Sequence, residues 1–296
     1  MPTIYDRAAE DLGNSVHLEH VNVCIPDQRQ ASLFYVSGLG LTRDPYLMTA
    51  DDNMWINVGR SQFHLPTAKA QRLRGRTGLV IPDREALLQR LGTVRPKLSD
   101  TAFSFSEHNE YVEAVCPWGN RLRVHEPDAN RFGRITLGIP YVEFDVPPGT
   151  AKGIVSFYRQ ILDVPGDVIE DGVTAKIEVG QSQFLYFRET NEPLPAFDNH
   201  HIQIYVANFS GPYRKLGERN LVSQEDNRYQ YRFRDIIDLQ SGKLLFTIEH
   251  EVRSIRHPNY LRPLANRNPA QMPRTYAPNH DALNWSMGPE PMDARP

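Results

Sequence analysis

The residues of this chain whose chemistry reaches beyond packing are its histidines, a carboxylate-bearing run near residue 250 and an arginine-rich stretch just before it. His20, His64 and His201 each lie in a short strand-like segment. The run Phe-Thr-Ile-Glu-His-Glu, ending at Glu251, puts Glu249 and Glu251 on one strand face and His250 on the other. Neutral imidazoles with a carboxylate suit zinc, iron, manganese, nickel or cobalt. Cys24 and Cys116 are the only cysteines. They stand far apart in apolar runs, which supports neither a disulfide framework nor a thiolate metal site and argues against a purely structural zinc. From Arg228 to Arg234 the sequence alternates, so that Arg228, Gln230, Arg232 and Arg234 share a face. A solvated face is the plain reading; if it lines a cleft instead, Arg232 could hold the carboxylate of an anionic substrate.

Bulk properties narrow the partners. The chain has 296 residues, 40% of them hydrophobic, which suits about two domains with ordinary cores. Its formal charge is −3, and no basic run is dense enough to track a phosphate backbone, so nucleic acid is not expected. No apolar stretch approaches the roughly 20 residues of a membrane span. The first 16 residues lack the charged-then-apolar order of a secretory signal, so a cytoplasmic location is expected.

A repeat shows what positions these residues. Val-Gly-Arg-Ser-Gln-Phe at 58–63 returns as Val-Gly-Gln-Ser-Gln-Phe at 179–184, and Val21 and Pro26 return as Val142 and Pro147. Within the first unit, Val21 to Ile25 alternates as a strand and Pro26-Asp27 stops it. A short helix is predicted over 28–37, ended by Gly38 and Gly40, and strands over 44–49, 54–58 and 61–65. The same order can be read again from 77–81 and the helix 84–91 to the strand 121–125, from about 135 to 188, and from about 199 to 250. Four β-α-β-β-β modules result, with 128–134 as the linker between halves. From Arg253 the pattern dissolves into an Arg-, Asn- and Pro-rich tail.

The run His20-Val-Asn-Val-Cys-Ile-Pro-Asp27, followed by Phe34-Tyr35 and Gly38-Leu39-Gly40-Leu41, resembles the opening of vicinal oxygen chelate proteins. Glyoxalase I, extradiol dioxygenases and bleomycin- and fosfomycin-resistance proteins belong to that superfamily. The resemblance covers about 17–250. It implies an α+β fold of two tandem vicinal oxygen chelate domains, whose four βαβββ modules form curled mixed sheets around clefts. The expected boundaries are 1–16 for an N-terminal extension, 17–127 for modules one and two, 135–251 for modules three and four, and 252–296 for the tail.

In that superfamily a divalent metal is held by side chains from the first and last strands of paired modules. Carried onto this sequence, the first-strand positions are His20, Arg76, Tyr141 and His201, and the last-strand positions are His64, Arg123 and Leu185. In module four, counting from Gly242 gives Phe246, and a longer hairpin gives Glu249, which is taken here; Glu251, or His250 on the opposite strand face, would follow from a further shift of register. The resemblance thus implies one divalent metal held by His20, His64, His201 and Glu249, with module one facing module four and the second site lost. Arg76 and Arg123 are then expected to pair with acids such as Glu143 or Glu178. The rival pairing, one with two and three with four, scatters the same ligands. Whether one meets four within a chain or across a homodimer is left open.

The activity implied is that of a metal-dependent, glyoxalase-like enzyme. Its small substrate chelates the cation through vicinal oxygens and reacts by lyase or isomerase chemistry through an enolate-like intermediate, with Glu249 as base. Two other readings stand beside it: a non-haem Fe(II) extradiol-type dioxygenase acting on a catechol-like ring, and a metal-free protein that sequesters its ligand.

Overall fold

The computed structural model describes residues 6–7, 10–44, 52–262 and 264. Module one contributes β1 (Ser15–Asn22), a helix starting at α1 (Gln28–Ala31) and continuing through a π-helical turn to Gly38, then β2 (Thr42–Arg43), β3 (Asn53–Val58) and β4 (Ser61–Pro66). Asp27 starts that helix by accepting from the Arg29 and Gln30 amides. Module two is β5 (Gly75–Val80), α2 (Arg84–Val94), β6 (Ser104–Glu107), β7 (Val112–Val115) and β8 (Arg121–His125). The linker holds one helical turn, α3 (Ala129–Phe132). Module three is β9 (Gly138–Val146), α4 (Ala151–Phe157), β10 (Gly166–Val168), β11 (Thr174–Gly180) and β12 (Gln183–Glu189). Module four is β13 (His201–Val206), α5 (Ser210–Gly217), β14 (Val222–Asn227), β15 (Gln230–Ile237) and β16 (Leu244–Ser254). Most of the expected strand 44–49 lies outside the described residues, as does the tail after residue 264.

The strands form two eight-stranded mixed sheets, one ordered β14-β15-β16-β13-β1-β4-β3-β2 and the other β10-β11-β12-β9-β5-β8-β7-β6. Each sheet takes one module from either half of the chain: one joins four, and two joins three. The join is made by first strands, antiparallel β1 with β13 and β5 with β9. The rival pairing of neighbours does not form, and a single chain suffices to bring module one to module four. The halves 17–127 and 135–251 therefore do not coincide with the sheets.

Alternation decides what each sheet face carries. On β9, Val142, Phe144 and Val146 are buried in the hydrophobic core, while Tyr141, Glu143 and Asp145 point to the other face. The helices close that core; Leu91 and Val94 of α2 pack so closely on Gly38 that a Cβ there would lie 3.3–3.4 Å from them. Both sheets thereby present a polar face whose centre is the antiparallel pair of first strands.

Candidate metal centre

Register defines the site more sharply than counting does. In the first sheet His20 pairs with Gln203 and Asn22 with His201; in the second, Arg76 pairs with Glu143 and Gly78 with Tyr141. The pattern is the same twice over, so His20, His201, Arg76 and Tyr141 occupy equivalent first-strand positions, as expected. Two residues further on, the parallel neighbours are His64 beside Asn22, Arg123 beside Gly78, Tyr186 beside Glu143 and Glu251 beside Gln203.

Two last-strand assignments therefore change. In module three the position belongs to Tyr186 rather than Leu185, because the repeated hexapeptide turns differently in its two copies. Val58 pairs with Ser61 across a turn opened by Gly59 at φ 64°, whereas Gly180 pairs with Gln183 and Ser182 takes the left-handed position at φ 58°. One residue of slip puts Leu185 in the core, fully buried. In module four the counterpart of His64 is Glu251, since the hairpin between Ile237 and Leu244 is longer and its register shifts.

His20, His64 and His201 come together: one ligand atom from each lies within 4.8 Å of the others. His20 Nε2 is 3.4 Å from His201 Nε2. His20 Nδ1 donates to Glu19 Oε2 at 2.6 Å, which leaves Nε2 with its lone pair toward the cluster. Glu19 can do this because β1 bulges between Leu18 and His20, turning a residue that strict alternation would hide toward the same site. Sequence alternation missed Glu19 for that reason. His64 stacks on Trp55 with ring centroids 3.8 Å apart, accepts at Nδ1 from Asn22 at 2.7 Å and donates from Nε2 to Asn53 at 2.8 Å. As a ligand it would give up one of these bonds.

Glu249 is not a member of this group. Its carboxylate is held by Arg232 at 2.6 Å and Arg234 at 2.8 Å, and Oε1 stands 3.7 Å from His201 Nδ1. Glu251 is placed similarly, with Oε2 3.6 Å from His201 Nε2, clamped by Arg232 and by Arg253 at 2.6 Å. Arg232 does not face solvent or stand open for a substrate: Asp226, Glu249 and Glu251 all bind its guanidinium. The ion pairs draw this part of β15 inward, and Gln230 is buried with it.

Electrostatics leave two of the imidazoles, those of His64 and His201, neutral. Burial first, then the positive charges around them, pushes His64 and His201 well below the usual histidine range. Burial alone would raise the Glu19 carboxyl, but the hydrogen bond from His20 and the charge of Arg253 outweigh it and hold it at about 2. Two neutral rings and a third buttressed by a carboxylate form a donor set that suits a divalent cation once His64 gives up a bond.

The equivalent centre of the second sheet has no such set. Arg76 ion-pairs with Glu143 at 3.1 Å, in line with the expected pairing, Arg123 lies over Tyr111, and the Tyr141 hydroxyl meets His125 Nε2 at 2.9 Å. His125 Nδ1 is 3.1 Å from the Glu110 carbonyl, so Tyr141 is the donor in that pair. Gly78 has no side chain, and the Tyr141 ring fills the space a Cβ would need.

No protein-family model and no curated protein sequence matches the chain. Solved structures do. Glyoxalase I from Zea mays aligns with TM-score 0.55 at 10% identity, over 80% of this chain and 92% of its own. A candidate dioxygenase from Bacillus subtilis subsp. subtilis str. 168 aligns with TM-score 0.53 at 15% identity, over 82% and 86%. Both are likenesses of fold. With its two eight-stranded sheets, each built from two βαβββ modules, the chain has the vicinal oxygen chelate fold in tandem.

Proposed function

We propose that the chain is a divalent-metal enzyme of the glyoxalase-like type. One observation carries this: three imidazoles from strands β1, β4 and β13, drawn from both ends of the sequence, aim ligand atoms into one 4.8 Å group. His20, His64 and His201 would hold the cation, with Glu251, the register counterpart of His64, and Glu249, the strand partner of His201, as the carboxylates beside it. When bound there, a divalent cation supplies Lewis-acid neutralisation of charge at two adjacent substrate oxygens. Glu19 fixes the tautomer of His20, and Trp55 fixes the plane of His64. Arg232 binds Glu249 and Glu251 and holds them beside His201. An anionic substrate group would compete with Glu249 for Arg232, and the released carboxylate would then stand beside the substrate as the base.

Identity of the metal divides this from oxygen chemistry. Two or three histidines and a carboxylate also describe a non-haem Fe(II) centre, and the likeness to the candidate dioxygenase is as good as that to glyoxalase I. Protein purified without added metal, assayed for proton exchange at carbon next to a chelating carbonyl and for oxygen uptake with catechols, tests both. Exchange without oxygen uptake supports the lyase or isomerase reading, and oxygen uptake supports the dioxygenase. Failure to bind any divalent metal overturns both.

A further inference from the structure

A cavity of about 570 Å³ opens at the seam between the two sheets, and none of the three clustered histidines lines it. The turns of both repeated hexapeptides border it, at Arg60 and at Ser182, together with the entry to β9 and Tyr260. Its size lies within the roughly 300–1,000 Å³ range of small-molecule sites.

The lining is cationic and apolar. Arg60 and Arg134 line the cavity and, among the described residues, no carboxylate does, in a chain whose formal charge is −3. Neither guanidinium forms an ion pair among the described residues, and both are exposed. His17 lines the cavity beside them. Its Nδ1 is 2.9 Å from Gln183 Oε1 and its Nε2 is 3.0 Å from the Arg60 carbonyl oxygen. The Gln183 amide cannot be turned round, since Oε1 accepts from the Leu18 amide while Nε2 donates to the Leu18 and Ile139 carbonyls. The ring is thereby held by two protein partners at the edge of the cavity. Leu137 and Leu261, 41% and 61% exposed, supply apolar surface beside these charges.

We infer that this cavity is a second, metal-independent site for a small amphipathic anion, a carboxylate carried on an apolar body. The arginines meet the head group, and the leucines cover the body. A ligand with only one of the two features leaves half of the lining unmatched.

Calorimetric titration of the full chain with octanoate, 1-octanol and inorganic phosphate tests this. Octanoate should bind once per chain and at least about tenfold more tightly than either single-feature probe. Arg60→Gln/Arg134→Gln should weaken octanoate by about tenfold or more. Leu137→Asp, which places a like charge at an exposed position, should do the same, and both variants should keep the wild-type circular dichroism spectrum. Chelator treatment should leave octanoate binding unchanged. The inference is overturned if octanoate does not bind, if either variant binds it as wild type does, or if octanol or phosphate binds equally well. Loss of octanoate binding on chelation would also overturn it, by placing octanoate at the histidine cluster, and would leave the metal reading intact.

Discussion

His20 Nε2 faces His201 Nε2 at 3.4 Å, although 181 residues of chain separate them. Two imidazole nitrogens each about 2.05 Å from one tetrahedral ion stand roughly 3.3 Å apart. The apposition thus has the spacing of two ligands on one cation, and the fold sets it directly, since Asn22 pairs with His201 and His20 with Gln203.

Replacing either ring should therefore empty the site. His20→Ala and His201→Ala are each expected to lower bound metal from about one per chain to below about a tenth, measured by elemental analysis after gel filtration. His64 is bonded to Asn22 and Asn53 and must release one of them, so His64→Ala should cost less affinity than either. Equal metal content in wild type and His201→Ala would remove the cross-module site.

Glu19 touches no substrate in this arrangement, yet it should matter. It accepts from His20 Nδ1 at 2.6 Å and lends the ring negative charge. Glu19→Gln is expected to weaken metal binding by about 10- to 100-fold, the usual effect of losing such a partner. Glu107→Gln, at an exposed ion pair with Arg84, should change nothing. Competition against a chromophoric chelator reads both.

How much of this was legible in the sequence depends on which constraint spoke. First-strand positions were readable because a strand stop follows each of them seven residues later, so His20, Arg76, Tyr141 and His201 fell into place. Last-strand positions depended on hairpin geometry. Identical letters at Val58 and Val179 lead into different turns, and a left-handed Ser182 cannot be foreseen from a hexapeptide that contains a glycine. Glu251 was displaced by the long 237–244 hairpin for the same reason. Glu19 was hidden by a bulge and Arg232 by ion pairs that form only when β15 lies against β16. Backbone irregularities, which leave little trace in periodicity, account for each of these.

Arg232 should prove structural as well as electrostatic. It neutralises Glu249 and Glu251, which are 4% and 2% exposed, and its loss leaves buried carboxylates with fewer partners. Arg232→Met is expected to lower stability by about 3 kcal/mol in chelator-treated protein. Arg234→Met should cost under about 1 kcal/mol, because that side chain is 44% exposed and its pair is solvent-screened. Urea unfolding followed by circular dichroism compares the two; equal losses would show that Arg232 is not the keystone of the network.

Acid should destabilise the fold from about pH 6.5 downward, before carboxylates titrate. His250 lies on the core face of β16, its Nε2 accepting from Tyr158 at 2.5 Å and its Nδ1 donating to the Ile248 carbonyl at 2.9 Å. Burial pushes it to about 3. Unfolded, the same ring titrates near 6.5, so between about pH 6.5 and 3 the unfolded chain carries a proton that the folded one refuses. Stability therefore rises with pH across that window, by at most about 1.4 kcal/mol per unit for one such ring. His64 and His201, also pushed down by burial, add in the same direction. His250→Leu, although less stable at pH 7 for want of a partner for Tyr158, should flatten the slope between pH 6 and 4 by about that one-proton amount. Chelator-treated wild type and variant, unfolded in urea at pH 7, 6, 5 and 4, give both slopes. Parallel slopes would mean that His250 takes up its proton in the folded state after all, and that the core around Tyr158 opens more readily than its burial implies.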